Sequence, residues 1–142
     1  MKKFASLLLA LVMCLCCLTT AALAERAPVA KDDLKIGFIF LHDENSTYDL
    51  NFINAAKEAC EKLGVDYTIV TNVPEGQECY DKAAELADAG CNIIFATSWG
   101  YMDTCEKLAA EYPDVLFCHG TGYKSNGTNF NNYFGRIYQS RY

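Results

Sequence analysis

The sequence has few of the residues and motifs that enzymes use. Only two histidines occur among its 142 residues, His42 and His119, and it has no Gly-x-Ser-x-Gly elbow, phosphate-binding loop or dinucleotide fingerprint. Cys118 precedes His119, but adjacent residues of a strand point to opposite faces and cannot act together as nucleophile and base. His42, Asp43 and His119 gain little support as a metal site from their spacing alone. We therefore expect no enzyme activity, no cofactor and no metal site.

Cysteine pairs of the Cys-x-x-Cys type are absent after residue 24. The chain has eight cysteines, but the spacings of the five beyond that point match no zinc-binding pattern. Cys91 and Cys118 lie in or beside apolar runs, where cysteine usually packs as a small hydrophobic residue. A disulfide between two of the other three, Cys60, Cys79 and Cys105, stays open for a protein of an oxidising compartment.

Positive charge is also scarce. Lys and Arg number 12 against 18 Asp and Glu, which gives a net charge of −6 at pH 7. No stretch of the chain carries a basic stripe, so the sequence does not favour nucleic acid as a partner. Charges of both signs are mixed along the predicted helices, as expected of a solvated acidic surface.

The first 24 residues have the pattern of a secretion signal. Two lysines precede an apolar stretch at 4–18, and residues 22–24 form a small-x-small cleavage site. The apolar stretch is too short to span a bilayer comfortably as a permanent helix. Lipidation at a cysteine of this leader is the alternative, although the neighbouring residues form a poor lipidation box. We predict a signal peptide at 1–24 and a single domain at 25–142, which is long enough for one core.

After the leader, short apolar runs alternate with amphipathic stretches. The predicted strands are 34–41, 65–70, 92–97 and 115–118, and the predicted helices are 49–63, 77–89 and 102–111. Residues 130–134 could form a fifth strand, and 135–142 the first turns of another helix. This order predicts an α/β fold in which a parallel sheet lies between two layers of helices, with right-handed crossovers.

Polar, glycine and aromatic residues follow three of the predicted strands. In an open parallel sheet, ligands bind outside the carboxyl ends of the strands, where such loops gather. The candidate ligand-binding residues are Asp43, Asn45, Tyr48 and Asp49 in the first loop, Ser98, Trp99, Gly100 and Tyr101 in the second, and His119, Gly120 and Thr121 in the third. Tyr48 could lie flat against a planar ligand while Asn45 or Asp49 takes its polar edge. A solvated loop, an aromatic that covers the sheet edge and a packed histidine are the structural alternatives.

Two other functions remain open on the residues alone. One is a secreted flavodoxin-like hydrolase or transferase that uses His119 with Asp43 or Asp103, although no nucleophile is evident. The other is a ligand-sensing domain that signals through a partner.

Several segments in sequence order resemble the basic membrane protein family. They are KIGFIF at 35–40, VPEG at 73–76, IFATSWGYMD at 94–103, YPDVLF at 112–117, HGTGYK at 119–124 and NYFGRIYQSRY at 132–142. Members of this family are solute-binding proteins of ABC importers and are related to purine nucleoside receptor lipoproteins. The resemblance covers nearly all of residues 25–142.

The resemblance implies one lobe of a type I periplasmic-binding fold. It further implies an extracytoplasmic protein that binds a purine base or nucleoside in a cleft between two lobes and delivers it to a permease. Tyr48 and Asp49 match the family's base-stacking position, with Asn45 nearby. The segment at 119–121 lacks the acidic residue common in nucleoside-binding members, which favours a free purine base or another small ligand over a nucleoside. Since family members are much longer, we expect the chain to be an N-terminal lobe without its second lobe.

Overall fold

The computed structural model describes residues 28–135, which form one parallel five-stranded sheet with helices on both faces. The strands are β1 (Lys35–Ile39), β2 (Asp66–Val70), β3 (Ile93–Ala96), β4 (Leu116–Gly120) and β5 (Phe130–Tyr133), and the helices are α1 (Thr47–Leu63), α2 (Gln77–Asp88) and α3 (Met102–Glu111). The strand order is β2-β1-β3-β4-β5, and every neighbouring pair is parallel. The predicted three-layer α/β fold is confirmed. The predicted leader and all but the first residue of the predicted final helix lie outside the described residues.

Each face of the sheet has its own apolar core. On one face, α1 packs Ile53, Ala56 and Cys60 against alternate residues of β1, including Ile36 and Phe38. On the other face, α2 and α3 cover side chains of β1, β3 and β4. β1 is therefore buried on both sides, as its continuous apolar run predicts. Leu63 continues the helical spacing of the apolar residues of α1 but is 57% exposed, and it is the last residue of the helix.

The ends of α1 follow from local chemistry. Ser46 is the N-cap, and its side-chain oxygen accepts the backbone N–H of Asp49 at 3.2 Å. This cap lets the helix begin at Thr47, two residues before the predicted start. Gly64 closes the helix in the left-handed region with φ 63°, a conformation that glycine adopts without the steric cost of a side chain.

Two segments at the carboxyl edge of the sheet differ from their predictions. β4 continues through His119 and Gly120, which we predicted as loop residues. The extension is stabilised because β5 pairs with β4 as far as Gly120. The segment after β3 is a single 3-10 turn, Trp99–Tyr101, that leads directly into α3 instead of an open loop.

Asn129 connects α3 to the sheet. This residue is only 5% exposed, and its side-chain Nδ2 donates to the carbonyls of Ala109, Tyr112 and Val115 at 2.7, 3.1 and 3.1 Å. Carbonyls at a helix end have no partner within the helix and need another donor when buried. The Asn129 amide therefore fixes the end of α3 to the start of β5, which begins at the next residue.

Four cysteines are fully buried thiols, namely Cys60, Cys79, Cys91 and Cys105. Burial raises the thiol pKa of each of them, in the case of Cys79 to about 12. Cys60, Cys79 and Cys105, which we considered for a disulfide, thus pack as small hydrophobic residues in the structure.

No helix within residues 28–135 is long and apolar enough to cross a membrane.

Candidate functional site

A pocket of about 210 Å³ opens at the carboxyl edge of the sheet. Its walls come from the β1–α1 connection, the first turn of α1 and the residue that precedes the 3-10 turn after β3. The lining residues are Leu41, His42, Ser46, Tyr48, Asp49 and Ser98. Three predicted site residues, Tyr48, Asp49 and Ser98, therefore meet in one pocket.

Asp49 is the buried acidic group of this pocket. It is 1% exposed although it lies in the first turn of α1. Its Oδ2 accepts the Nδ1 proton of His42 at 3.0 Å, and its Oδ1 is 3.5 Å from the Thr97 hydroxyl. The positive end of the α1 dipole further favours a carboxylate at this position. The arrangement holds the carboxylate oxygens in place without a lysine or arginine among the lining residues.

Tyr48 forms an aromatic wall beside this carboxylate. Its side chain is about half exposed, while its hydroxyl donates to the carbonyl of Thr97 at 3.3 Å. The ring lies 4.9 Å from the ring of Phe52, at an interplanar angle of 53°. Contacts at both ends of the side chain hold a partly open aromatic surface at the pocket mouth, which a planar ligand can contact.

Glu75, which is not among the predicted site residues, positions Ser98. Its Oε1 accepts the Ser98 hydroxyl at 2.5 Å and the backbone N–H of Gly100 at 3.0 Å. A Cβ at Gly100 would lie 2.1 Å from the Glu75 carboxyl carbon, so the close approach requires glycine. The VPEG segment at 73–76 was the available signal, but a contact across 23 positions of sequence cannot be deduced from it.

His119 supports the pocket from behind. It is completely buried, and its Nε2 donates to the carbonyl of Ser98 at 2.7 Å. Its Nδ1 has no hydrogen-bond partner among the described residues. Burial lowers the His119 pKa, so the ring is held neutral with the proton on Nε2. His119 is thus a packed histidine bonded to a backbone carbonyl, and its ring nitrogens pair with neither Asp43 nor Asp103.

The remaining candidates of the first two loops lie outside the pocket. Asp43 accepts the backbone N–H and the side-chain amide of Asn45, and these bonds lower its pKa. Trp99 is 59% exposed and packs against Tyr123 with ring centroids 5.9 Å apart. Tyr101 is fully buried, and its hydroxyl donates to the carbonyl of Val73. The 3-10 turn places Tyr101 in the core instead of at the edge.

Gly120 and Thr121 lie one strand further along the edge. A Cβ at Gly120 would approach the hydroxyl of Tyr133 to 3.1 Å. Thr121 has φ 66°, a rare conformation for a β-branched residue, and its N–H donates to the Tyr133 carbonyl at 2.9 Å. Neither residue lines the pocket.

No group of three or more potential metal ligands occurs within residues 28–135.

The fold and pocket define an α/β lobe that presents a small aromatic and acidic site at the carboxyl ends of its strands. Over residues 36–142 the chain matches the Bmp family, described as ABC transporter substrate-binding protein PnrA-like. The protein belongs to this family, and the resemblance noted in the sequence is confirmed.

Two relatives give the range of ligands named for similar proteins. A purine-binding protein from Brucella abortus is 42% identical over 118 residues, which is 80% of this chain and 33% of the relative. A protein from Haloferax volcanii assigned as an ABC transporter glucose-binding protein is 30% identical over 107 residues, 75% of this chain and 25% of the relative. The chain therefore spans one third or less of the length of these relatives.

Solved structures show the same fold. A transcriptional activator of the comK gene from Bacillus halodurans gives a TM-score of 0.61 at 22% identity, over 69% of this chain and 33% of that one. An ABC transporter solute-binding protein from Conexibacter woesei gives 0.60 at 16% identity, over 71% and 35% of the two chains. The expected α/β lobe of a solute-binding fold is thus confirmed.

Proposed function

We propose that this protein binds a purine base or nucleoside as the extracytoplasmic receptor of an ABC importer. The observation that carries the proposal is the pairing of a half-exposed aromatic ring, Tyr48, with a buried carboxylate, Asp49, in one pocket. Planar heterocycles are bound by this combination, since the ring stacks on the base and the polar group fixes its edge. The 42% identity to a purine-binding protein supports the same ligand class.

The pocket forms one wall of the proposed binding cleft. Its volume of about 210 Å³ lies below the roughly 300–1,000 Å³ of small-molecule sites. In the longer proteins of this family, we propose that a second lobe supplies the opposite wall. Closure of the two lobes would bury the ligand and present a distinct surface to the permease. A site with one wall loses part of the contact energy, so we expect weak binding by the chain alone.

A thermal-shift and NMR titration series tests the proposal directly. The full chain is titrated with purine bases, nucleosides and glucose. A saturable response to purines is expected, and Tyr48→Ala should weaken it by about tenfold because one stacked aromatic contributes roughly 1–3 kcal/mol. Leu63→Ala is the matched control, since it removes an exposed apolar side chain at the other end of the same helix. Saturation by glucose without any response to purines would contradict the proposal.

A further inference from the structure

Two of the hydroxyl groups that line the pocket donate their protons to acceptors within the protein. The Tyr48 hydroxyl donates to the Thr97 carbonyl, and the Ser98 hydroxyl donates to the Glu75 carboxylate. Carbonyls and carboxylates can only accept, so the direction of both bonds is fixed. Each hydroxyl oxygen therefore presents lone pairs, and no proton, to a ligand.

Asp49 and His42 also offer a ligand mainly hydrogen-bond acceptors. An ionised Asp49 carboxylate offers only acceptor sites, and two oxygens can accept more bonds than His42 and Thr97 supply. When the Nδ1 proton of a neutral His42 points at this carboxylate, the other ring nitrogen carries a lone pair. Ser46 is the exception, because its oxygen accepts the Asp49 N–H and its own proton is left for a ligand. The lining is thus rich in acceptors and poor in donors.

We propose that this polarity selects the ligand, and that the site takes purines whose inward edge bears amino groups. The inference rests on the proposed function and adds to it the substituents that the ligand must carry. Amino groups would place N–H donors on the acceptors of Tyr48, Asp49 and Ser98, whereas oxo groups would place lone pairs against lone pairs. A buried acceptor left without a donor weakens binding. This wall of the cleft has no lysine or arginine among its lining residues, so it offers no such partner to the phosphate of a nucleotide.

The test compares purine, adenine, 2,6-diaminopurine and hypoxanthine with the full chain by NMR titration. The titration is run at about pH 8, above the range in which imidazoles usually take up a proton. We expect 2,6-diaminopurine to bind at least about tenfold more tightly than purine, since one well-formed hydrogen bond to a charged group is sufficient for such a ratio. We expect adenine to lie between them and hypoxanthine to bind more weakly than adenine.

Variants separate hydrogen-bond polarity from stronger stacking by amino-substituted rings. Asp49→Asn turns part of the acceptor into an amide donor and should reduce the diaminopurine-to-purine ratio to about threefold or less. Tyr48→Phe removes one acceptor, keeps the ring on an exposed side chain and should also lower the ratio; it serves if Asp49→Asn fails to fold. Asp66→Asn removes the same charge from an exposed residue at the opposite end of the sheet and should leave the ratio unchanged.

The outcomes separate the preference for amino-substituted purines from purine binding itself. Equal affinities for all four purines, or tighter binding of hypoxanthine than of adenine, would overturn the polarity inference while leaving purine binding intact. A ratio that survives in both Asp49→Asn and Tyr48→Phe would also overturn it. Failure of every purine to bind would contradict the proposed function itself.

Discussion

The packing of Gly122 against His119 supplies a sharp stability prediction. A Cβ at position 122 would lie 2.2 Å from the His119 Nδ1, 2.7 Å from its Cε1 and 3.1 Å from the Met102 sulfur. The first distance is more than about 1 Å short of ordinary van der Waals contact. The imidazole cannot simply turn aside, because it is fully buried and its Nε2 donates to the Ser98 carbonyl at 2.7 Å. Gly122→Ala must therefore displace a fixed core ring.

The expected cost follows from two contributions. Overpacking a core costs typically about 1–3 kcal/mol, and a disturbed hydrogen bond between His119 and Ser98 adds roughly 1 kcal/mol. We expect Gly122→Ala to lower the free energy of unfolding by about 2–4 kcal/mol in urea titrations followed by circular dichroism. For a domain of this size the melting temperature should fall by on the order of 10 °C or more.

Gly127→Ala and a double variant test the mechanism. Gly127 has φ 73° with nothing within 4 Å of its added Cβ, so alanine there costs only the strain of a left-handed residue, about 1–2 kcal/mol. His119→Ala should make room for the Cβ at position 122. The loss of unfolding free energy in the double variant should therefore be smaller than the sum of the losses in the two single variants. Additive losses, or a Gly122→Ala cost no larger than that of Gly127→Ala, would refute the reasoning.

Two further predictions concern buried polar groups. Burial lowers the pKa of His119 below its ordinary value of 6.5, so the unfolded chain takes up a proton more readily than the folded one. The contribution of neutral His119 to the free energy of unfolding should therefore be fully present above pH 6.5 and should be lost as the pH falls towards the lower native pKa. For one group, the free energy of unfolding changes by at most about 1.4 kcal/mol per pH unit. In urea titrations, the stability of His119→Gln should depend less on pH than that of the unchanged protein, and an equal dependence would contradict this prediction. Asn129→Ala removes the side-chain donor from the carbonyls of Ala109, Tyr112 and Val115, of which that of Tyr112 keeps a backbone donor, the Val115 N–H, and should cost about 2–4 kcal/mol by chemical denaturation. The exposed Asn132→Ala, which loses one bond to the Lys124 carbonyl, should cost less than about 1 kcal/mol, and equal losses would contradict the role given to Asn129.

The sequence predicts the regular elements well because their signals are local. The bounds of α3 are as predicted, since an amphipathic stretch ends at a tyrosine followed by Pro113. The parallel sheet follows from the alternation of apolar runs and helices. Tyr48 and Asp49 are placed at the pocket for the same reason, since the loop after β1 must lie at the carboxyl edge.

The remaining features depend on contacts between distant segments. β4 reaches Gly120 instead of ending at Cys118 because it pairs with β5. The residues of β4 alone do not show that this pairing occurs. Tyr101 is drawn into the core because its hydroxyl reaches the Val73 carbonyl, 28 positions earlier. Glu75 could not be assigned to the site because its partner Ser98 follows a different strand. Such contacts form only in the tertiary fold, so they cannot be predicted from the periodicity or composition of the sequence.

The buried thiols couple unfolding of this protein to oxidation wherever an oxidant is present. While the chain is folded, Cys60, Cys79, Cys91 and Cys105 are shielded from solvent and held protonated, so they react slowly. Once unfolding exposes these thiols, they can be oxidised to non-native disulfides. Where this oxidation outpaces refolding, the lifetime of the protein would be set by its opening rate and not by its equilibrium stability. With a thiol reagent added to the native protein, the rate at which the four buried thiols are labelled would measure those openings, whereas Cys118 is only partly buried and needs no such opening.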